Sequence, residues 1–182
     1  MVYVFLTDGF EPIEAVTPTD MLRRAGLEVT TVAIGDDFLV HGSRDIPVQA
    51  DDLFSNTDFS DAEMLILPGG PGTPGLGKHK GLCQLLKEFA AAGKPVAAIC
   101  AAPSVLGKLG ILDGRKATVY PGCGDGLKNI EFTGRFVERD GNIITAIGPA
   151  ASAAFAAEII EMLCGREVRE QVCRDMQFQL SK

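Results

Sequence analysis

Apolar residues occur along the chain either in short continuous runs or with the three-to-four-residue spacing of an amphipathic helix. Short apolar runs bounded by turn residues predict buried strands, and these lie at 2–6, 28–34, 63–67, 95–99 and 116–120. Helical spacing and stop signals predict helices at 13–25, 80–92, 101–109, 150–163 and 167–178. This alternation predicts an α/β fold, with a mostly parallel sheet covered by helices on both faces.

Two antiparallel hairpins are predicted in addition to the parallel strands. Residues 38–42 and 46–50 flank the turn-forming Ser43-Arg44-Asp45. Residues 132–138 and 142–147 flank Arg139-Asp140-Gly141, in which Asp-Gly is a frequent hairpin dipeptide. The sequence contains no internal repeat and no linker-like stretch, so we expect the 182 residues to form one domain, 1–182.

Acidic residues outnumber basic ones, and this bears on possible partners. The chain has 24 Asp and Glu against 17 Lys and Arg, for a net charge of -7. A surface of that sign repels phosphate backbones, so no nucleic-acid partner is expected. No apolar run approaches the roughly 20 residues of a membrane-spanning helix, and the first residues lack the basic start of a signal peptide. We therefore expect no membrane partner and a cytoplasmic location.

The cysteine pattern argues against a metal or disulfide framework. No Cys-x-x-Cys occurs, and the number of cysteines is odd: they are Cys83, Cys100, Cys123, Cys164 and Cys173. With only two histidines in the chain, neither a structural zinc site nor any other metal is expected. Most of the thiols are expected to be buried as small apolar side chains. Apart from Cys100, the cysteine expected to be most exposed is Cys123, because it lies in a Pro-Gly-Cys-Gly turn.

Cys100 is the strongest candidate for chemistry. It lies where the strand predicted at 95–99 meets the helix predicted at 101–109. Ala98 and Ala102 are small enough to permit the sharp turn of a nucleophile elbow, with cysteine in place of serine. Backbone N–H groups and the helix dipole at such a position favour the thiolate, which is the reactive form. The alternative is that Cys100 is one more buried apolar cysteine, and the elbow pattern alone supports both interpretations.

Two other segments should lie at the same edge of the sheet, because parallel sheets bind ligands at the carboxyl ends of their strands. One contains Glu14, which is either an exposed acid in the first turn of a helix or a carboxyl that exchanges a proton with the thiol. Glu11 competes for that second role. The other segment is Gly69-Gly70, which is either a flexible turn or a place where backbone amides approach an oxyanion.

Arginine and histidine side chains are further candidates. Arg23 and Arg24 are expected in the last turn of the first helix, where solvated cations are common, and Arg44 lies between two hairpin strands. His41 is remote in sequence from the candidate cysteine, and His79 is flanked by lysines in a segment typical of an exposed loop. A papain-like cysteine–histidine pair is therefore not favoured.

Six segments, taken together and in order, are similar to those of a known family. They are Asp8-Gly9-Phe10-Glu11-Pro12-Ile13-Glu14, Asp20-Met21-Leu22-Arg23-Arg24-Ala25-Gly26, Ser43-Arg44-Asp45, Leu67-Pro68-Gly69-Gly70, Ala98-Ile99-Cys100-Ala101-Ala102-Pro103 and Asp140-Gly141-Asn142-Ile143-Ile144-Thr145. With these segments the chain resembles the ThiJ/PfpI superfamily over essentially its full length. The resemblance is to the branch that contains the parkinsonism-associated protein deglycase.

The resemblance implies a fold, an assembly and a set of site residues. It implies a flavodoxin-like three-layer sandwich and a homodimer. It implies that Cys100 is the nucleophile and that Glu14 hydrogen-bonds its sulfur. It also implies that backbone amides near the elbow, at Gly69, Gly70 and Ala101, bind an oxyanion or the substrate. Two arginines, Arg24 and Arg44, would border an anion-attracting pocket at the dimer interface.

The chain departs from the family pattern in two places. The protease-like branch has histidine directly after the cysteine, whereas this chain has Ala101, so peptidase activity is not expected. Some members of the deglycase branch have a histidine in the stretch that matches 129–132, which here is Asn-Ile-Glu-Phe. Proton transfer would therefore fall to Glu14.

The leading hypothesis is an enzyme that needs no cofactor and acts on small aldehyde or glycated substrates. The Cys100 thiolate would attack a 2-oxoaldehyde such as methylglyoxal, and Glu14 would move the proton that yields a 2-hydroxy acid. The same chemistry on a glycated amine or thiol would be deglycation. The alternative is a sensor of oxidative stress or a redox-regulated chaperone, in which Cys100 is oxidised to sulfinate without turnover.

Overall fold

The structure is a computed structural model that describes residues 1–179. Its strands are β1 Val2–Leu6, β2 Val29–Ala33, β3 Leu39–His41, β4 Pro47–Gln49, β5 Asp52–Leu53, β6 Met64–Leu67, β7 Val96–Ile99, β8 Lys116–Ala117, β9 Glu131–Phe132, β10 Val137–Asp140 and β11 Ile143–Ala146. Its helices are α1 Pro12–Arg24, α2 Thr73–Lys78, α3 Lys80–Ala91, α4 Pro103–Lys108, α5 Ser152–Cys164 and α6 Arg166–Asp175. Short 3-10 turns occur at Ser43–Asp45 and Pro149–Ala151.

Seven strands form the central sheet in the order β10-β11-β7-β6-β1-β2-β5. All neighbours are parallel except β10 and β11, which pair as an antiparallel hairpin at one edge. Counted along the chain, the five central parallel strands have the order 2-1-3-4-5, which is that of flavodoxin. The expected α/β fold, a flavodoxin-like sandwich, is therefore confirmed.

The two faces of the sheet form separate apolar cores because successive strand residues point to opposite sides. Val4 and Ile66 point to the side covered by α1, α5 and α6, where Phe155 is fully buried. Phe5 and Leu65 point to the other side, where α2, α3 and α4 contribute buried leucines. Within residues 1–179, no helix combines the length and the apolar character needed to cross a membrane.

The structure differs from the sequence prediction mainly in short elements. The hairpin at 38–50 is confirmed as β3 and β4, which form a sheet of their own. The run at 116–120 was predicted as a strand of the main sheet, but only Lys116–Ala117 is a strand, and it pairs with β9 outside that sheet. Helix α2 was not predicted, because its sequence Thr-Pro-Gly-Leu-Gly-Lys is rich in residues that disfavour helices; its proline is tolerated in the first turn.

Candidate functional site

The candidate site lies at the carboxyl ends of β1, β6 and β7, where the strand order reverses between β1 and β6. Open α/β sheets bind ligands at such a point. Backbone hydrogen bonds join the loops after β1 and β6: the Glu11 N–H donates to the Gly69 carbonyl (3.0 Å), and the Gly72 N–H donates to the Gly9 carbonyl (2.9 Å). The candidate residues from the first two segments are thereby held in one place.

Cys100 occupies the predicted elbow between β7 and α4. Its φ angle is 63°, in the left-handed region that non-glycine residues rarely adopt. Two backbone hydrogen bonds hold it there: its N–H donates to the Ala146 carbonyl, and its carbonyl accepts from the Tyr120 N–H, both at 2.8 Å. A residue in this conformation costs of order 1–3 kcal/mol, and such outliers cluster at functional sites.

Gly69 lets the elbow approach the loop after β6. A Cβ atom at Gly69 would lie 2.7 Å from the Ile99 carbonyl oxygen, 2.8 Å from the Cys100 Cβ and 2.9 Å from the Ala101 nitrogen. Any side chain at this position would therefore push the elbow away. The glycine is required by this close approach, since its own φ does not lie in the left-handed region.

Glu14 is fully buried next to the cysteine, although it lies in the first turn of α1. Its Oε2 accepts a hydrogen bond from the Gly69 N–H at 2.8 Å. Its Oε1 is buried without a partner of normal hydrogen-bond geometry. Burial raises the pKa of Glu14 to about 7, against the opposing effects of hydrogen bonds with the Cys100 thiol and the Gly69 N–H. The interpretation of Glu14 as an exposed acid is wrong.

The Cys100 thiol experiences opposing influences on its pKa. Burial, reinforced by the Glu14 carboxylate, raises the pKa of the thiol to about 12, whereas the N–H groups of Gly70 and Ala101 hydrogen-bond the sulfur and lower it. Since each anion disfavours the other, the two side chains are not ionised together and they titrate as a coupled pair. A negative charge on the sulfur would accept hydrogen bonds from the N–H groups of Gly70 and Ala101, whereas a negative charge on Glu14 accepts one from the Gly69 N–H.

Glu11 has a different neighbour from Glu14. Its Oε2 accepts a hydrogen bond from the Ser43 hydroxyl at 2.8 Å, which ties the start of α1 to the turn between β3 and β4. Its charge contributes to the raised pKa of Glu14. Of the two carboxyls, Glu14 is therefore the one positioned to exchange a proton with the thiol.

The arginines lie at the surface. Arg24, at the end of α1, pairs with Asp20 at 2.7 Å, and Arg23 pairs with Asp51 at the same distance. Arg44 has a φ of 65° in the turn between β3 and β4. The anion-attracting pocket implied for Arg24 and Arg44 involves a second copy of the chain and stays a prediction.

The two histidines differ in their contacts: His79 uses its side chain, and His41 its backbone N–H. The Nδ1 of His79 accepts the Leu82 N–H at 3.0 Å and so caps α3, and its ring packs against Phe54 at 4.5 Å between centroids. The backbone N–H of His41 donates to the Asp8 carboxylate. Within residues 1–179, no three side chains of His, Cys, Asp or Glu cluster so that they could hold a metal ion.

A cavity of about 520 Å³ adjoins the elbow. Gly70 and Ala101, whose N–H groups bind the Cys100 sulfur, are part of its lining. Lys78, Lys108 and Cys123 also line it. Sequence reasoning did not assign the lysines to the site, because nothing in the pattern places the ends of α2 and α4 side by side. The size suits a small-molecule ligand.

We predict that Gly69→Ala disturbs the elbow. The added methyl group overlaps with backbone atoms of the elbow, and overpacking of this kind costs about 1–3 kcal/mol. Urea unfolding should show that loss of stability, and the rate of Cys100 alkylation should change. Gly35→Ala is the matched control, because a Cβ there meets nothing within 4 Å and neither glycine has a left-handed φ. Equal stabilities of the two variants would contradict the close approach.

The pKa of Glu14 predicts a pH dependence of stability. Because the pKa is raised from 4.5 to about 7 in the folded chain, the folded state binds this proton more tightly than the unfolded state. The stabilisation is complete below pH 4.5 and is lost as the pH rises to about 7, a change of about 3 kcal/mol. Glu14→Gln carries no such proton, so the wild type should lose stability relative to this variant across that range. Parallel urea curves at every pH would contradict a buried carboxyl.

Comparison with known proteins agrees with this geometry. The sequence profile of the DJ-1/PfpI family matches residues 1–162. Protein dj-1beta of Drosophila melanogaster is 34% identical over 176 residues, which cover 95% of this chain and 94% of that protein. A deglycase of Pyrococcus horikoshii is 31% identical over 166 residues, which cover 90% of this chain and 99% of that protein. The structure of oxidized DJ-1 from Toxoplasma gondii superposes with a TM-score of 0.94 at 34% identity, covering 98% of each chain.

Proposed function

We propose that this chain, which belongs to the DJ-1/PfpI family, is a cysteine enzyme that acts on 2-oxoaldehydes or on the glycated products they form. The observation that carries the proposal is the buried, coupled pair of Cys100 and Glu14, whose sulfur accepts hydrogen bonds from two backbone N–H groups. The deglycase among its relatives supports a substrate of this class.

In the first step the Cys100 sulfur attacks the aldehyde carbon of methylglyoxal and forms a hemithioacetal. The aldehyde oxygen takes up negative charge as its π bond opens. The Gly70 and Ala101 N–H groups, which bind the sulfur in the free protein, can stabilise that charge. The protonated Glu14 carboxyl supplies the proton that the new hydroxyl needs.

In the second step Glu14, now a carboxylate, removes the hydrogen from the former aldehyde carbon. The electrons move towards the neighbouring ketone, whose oxygen takes up a proton, so an enediol forms. The proton from Glu14 then goes to the former ketone carbon while the hydroxyl on the former aldehyde carbon loses its proton, which leaves a thioester of the 2-hydroxy acid. Water then hydrolyses the thioester, which releases lactate and regenerates the thiolate. The oxidation of one carbon balances the reduction of the other, so no external oxidant or reductant is consumed. A carboxyl with a pKa of about 7 is suited to both proton transfers.

A redox sensor or redox-regulated chaperone is the second candidate. It is favoured by the similarity to a DJ-1 structure described as oxidized. A protonated Glu14 could donate a hydrogen bond to a sulfinate on Cys100 as readily as to a thiolate. This function predicts selective oxidation of Cys100 by peroxide without turnover of methylglyoxal.

We also propose a two-fold homodimer. The apolar side chains of Ile13, Val16 and Ile46 are about half exposed near the start of α1 and the β3–β4 hairpin, which suits a surface that another chain covers. Val16→Asp should convert the dimer to a monomer, as measured by light scattering. Phe136→Asp, a change at an equally exposed residue next to β10, should leave the mass unchanged. A monomeric wild type, or dissociation by the second change alone, would overturn this assignment.

The decisive experiment is to measure lactate formation from methylglyoxal by the purified protein. Enantiomeric analysis of the lactate separates enzymatic product from the spontaneous reaction, which gives a racemate. If the wild type forms no lactate but peroxide still modifies Cys100, the redox function is favoured.

A further inference from the structure

We propose that Cys123 is a resolving cysteine, which forms a disulfide with Cys100 after a peroxide has oxidised Cys100 to the sulfenic acid. The inference rests on the reactive thiol of the proposed function and adds to it a second residue and a reversible product. Three features of the structure support it: a cavity that adjoins the elbow, a backbone link and open space in the turn before Cys123.

The cavity that Cys123 lines adjoins the elbow that carries Cys100. Cys123 lines the 520 Å³ cavity together with Gly70 and Ala101, which hold the Cys100 sulfur. Cys123 is partly exposed, so its thiol is not locked in an apolar core. A peroxide is small enough to enter this space, and the water formed in the reaction can leave by the same route.

A backbone link keeps the two cysteines near each other. The Tyr120 N–H donates to the Cys100 carbonyl, and the Cys123 N–H donates to the Tyr120 carbonyl at 2.9 Å. The ends of such a turn lie within about 7 Å, so Cys123 lies near the residue that is hydrogen-bonded to the elbow. A disulfide needs Cα atoms about 4–7 Å apart.

The remaining distance can be closed by movement of the turn. Gly122, directly before Cys123, has a φ of 85°, and a Cβ there would meet nothing within 4 Å. Pro121 is exposed as well. The turn is therefore open before Cys123, whereas Gly124 after it packs against Phe132 and Val119. The Cys100 elbow is held by its own hydrogen bonds. We expect the turn to approach the elbow.

The other cysteines are less suitable partners. The Cys83 thiol donates to the carbonyls of Leu76 and Gly77; Gly77 lines the cavity, but Cys83 itself does not. Cys164 and Cys173 lie in α5 and α6, which cover the opposite face of the sheet from α4. Cys123 is thus the cysteine whose position fits the role.

The chemistry is balanced with a peroxide as the oxidant. The Cys100 thiolate attacks one peroxide oxygen, the O–O bond breaks, and the other oxygen leaves as an alcohol or water after taking a proton. The Cys123 sulfur then attacks the sulfenic sulfur, and the hydroxyl leaves as water with the thiol proton. Two thiols and one peroxide give one disulfide, one water and one alcohol or second water. This outcome prevents further oxidation to sulfinate.

The test is to treat the reduced protein with two equivalents of hydrogen peroxide, which is enough to carry one thiol to sulfinate, then block free thiols with N-ethylmaleimide and map the peptides by mass spectrometry. We expect wild type to yield a linked Cys100–Cys123 peptide that dithiothreitol releases. Cys123→Ser should lose that peptide and accumulate Cys100 sulfinate instead. Cys83→Ser is the matched control and should behave like wild type.

Two outcomes would overturn the proposal. One is sulfinate on Cys100 as the main product in wild type, with no linked peptide. The other is a disulfide between Cys100 residues of two chains. In both, Cys100 has reacted and the proposed function stands, whereas an inert Cys100 would remove the proposed function and this inference together.

Discussion

Replacing Cys100 by serine is expected to lower the turnover of methylglyoxal by at least about 10³-fold, since removing a nucleophile abolishes the covalent step. A serine hydroxyl at this position would keep the size of the side chain but would scarcely ionise next to Glu14. The left-handed conformation of the elbow is set by backbone hydrogen bonds to Tyr120 and Ala146, so the variant should fold. Initial rates of lactate formation measure the effect.

Alkylation of the wild type identifies which thiol reacts first. Limited iodoacetamide is expected to label Cys100 of the wild type ahead of the partly exposed Cys123. The reason is that the Gly70 and Ala101 N–H groups stabilise a thiolate at Cys100, against the opposing effects of burial and of Glu14. Cys83→Ser is the control for loss of a thiol elsewhere and should keep full turnover. Full turnover in the Cys100 variant, or faster labelling of Cys123, would show that the assignment of the nucleophile is wrong.

Glu14→Gln is expected to reduce turnover by about 10²- to 10⁴-fold, the usual contribution of a positioned acid or base. The amide can still accept the Gly69 N–H and donate to the sulfur, but it cannot release a proton. Thiolate should therefore still form, and alkylation of Cys100 should remain fast. Full turnover in this variant would exclude Glu14 as the proton shuttle.

Glu14→Leu separates the hydrogen bond from the proton transfer. Leucine is close in size to glutamate but leaves the sulfur without a donor from this side, so the pKa of the Cys100 thiol should rise relative to the Gln variant. Ultraviolet absorbance of the thiolate against pH measures that difference. An unchanged thiol pKa would mean that Glu14 does not stabilise the sulfur, and circular dichroism verifies that the variant is folded.

The sequence predicted the main sheet well because its strands are continuous apolar runs that are buried on both faces. It was less informative for β8 and β9, which are two residues each and lie outside that sheet. Their formation depends on pairing between residues far apart in the sequence. Helix α2 was missed because tertiary packing of its buried Leu76 outweighs the low helix propensity of its glycines.

The candidate site was predictable only in part. Small residues around Cys100 indicated the elbow, but sequence alone left a choice between Glu11 and Glu14. The choice depends on burial, since Glu14 is fully enclosed while Glu11 is satisfied by Ser43. Lys78 and Lys108 could not be assigned to the site from the sequence, because they belong to no motif and line the same cavity only in the folded chain.

The hydrogen bonds that hold the Cys100 backbone also determine when the elbow can form during synthesis. Its N–H needs the Ala146 carbonyl, 46 residues later in the chain, and its carbonyl needs the Tyr120 N–H. Contacts between such distant residues form late, after loop closure. A nascent chain that has been translated only as far as β7 therefore contains the cysteine without its activated geometry. The elbow conformation of Cys100 is therefore complete only after β11 has been synthesised and has paired with β7.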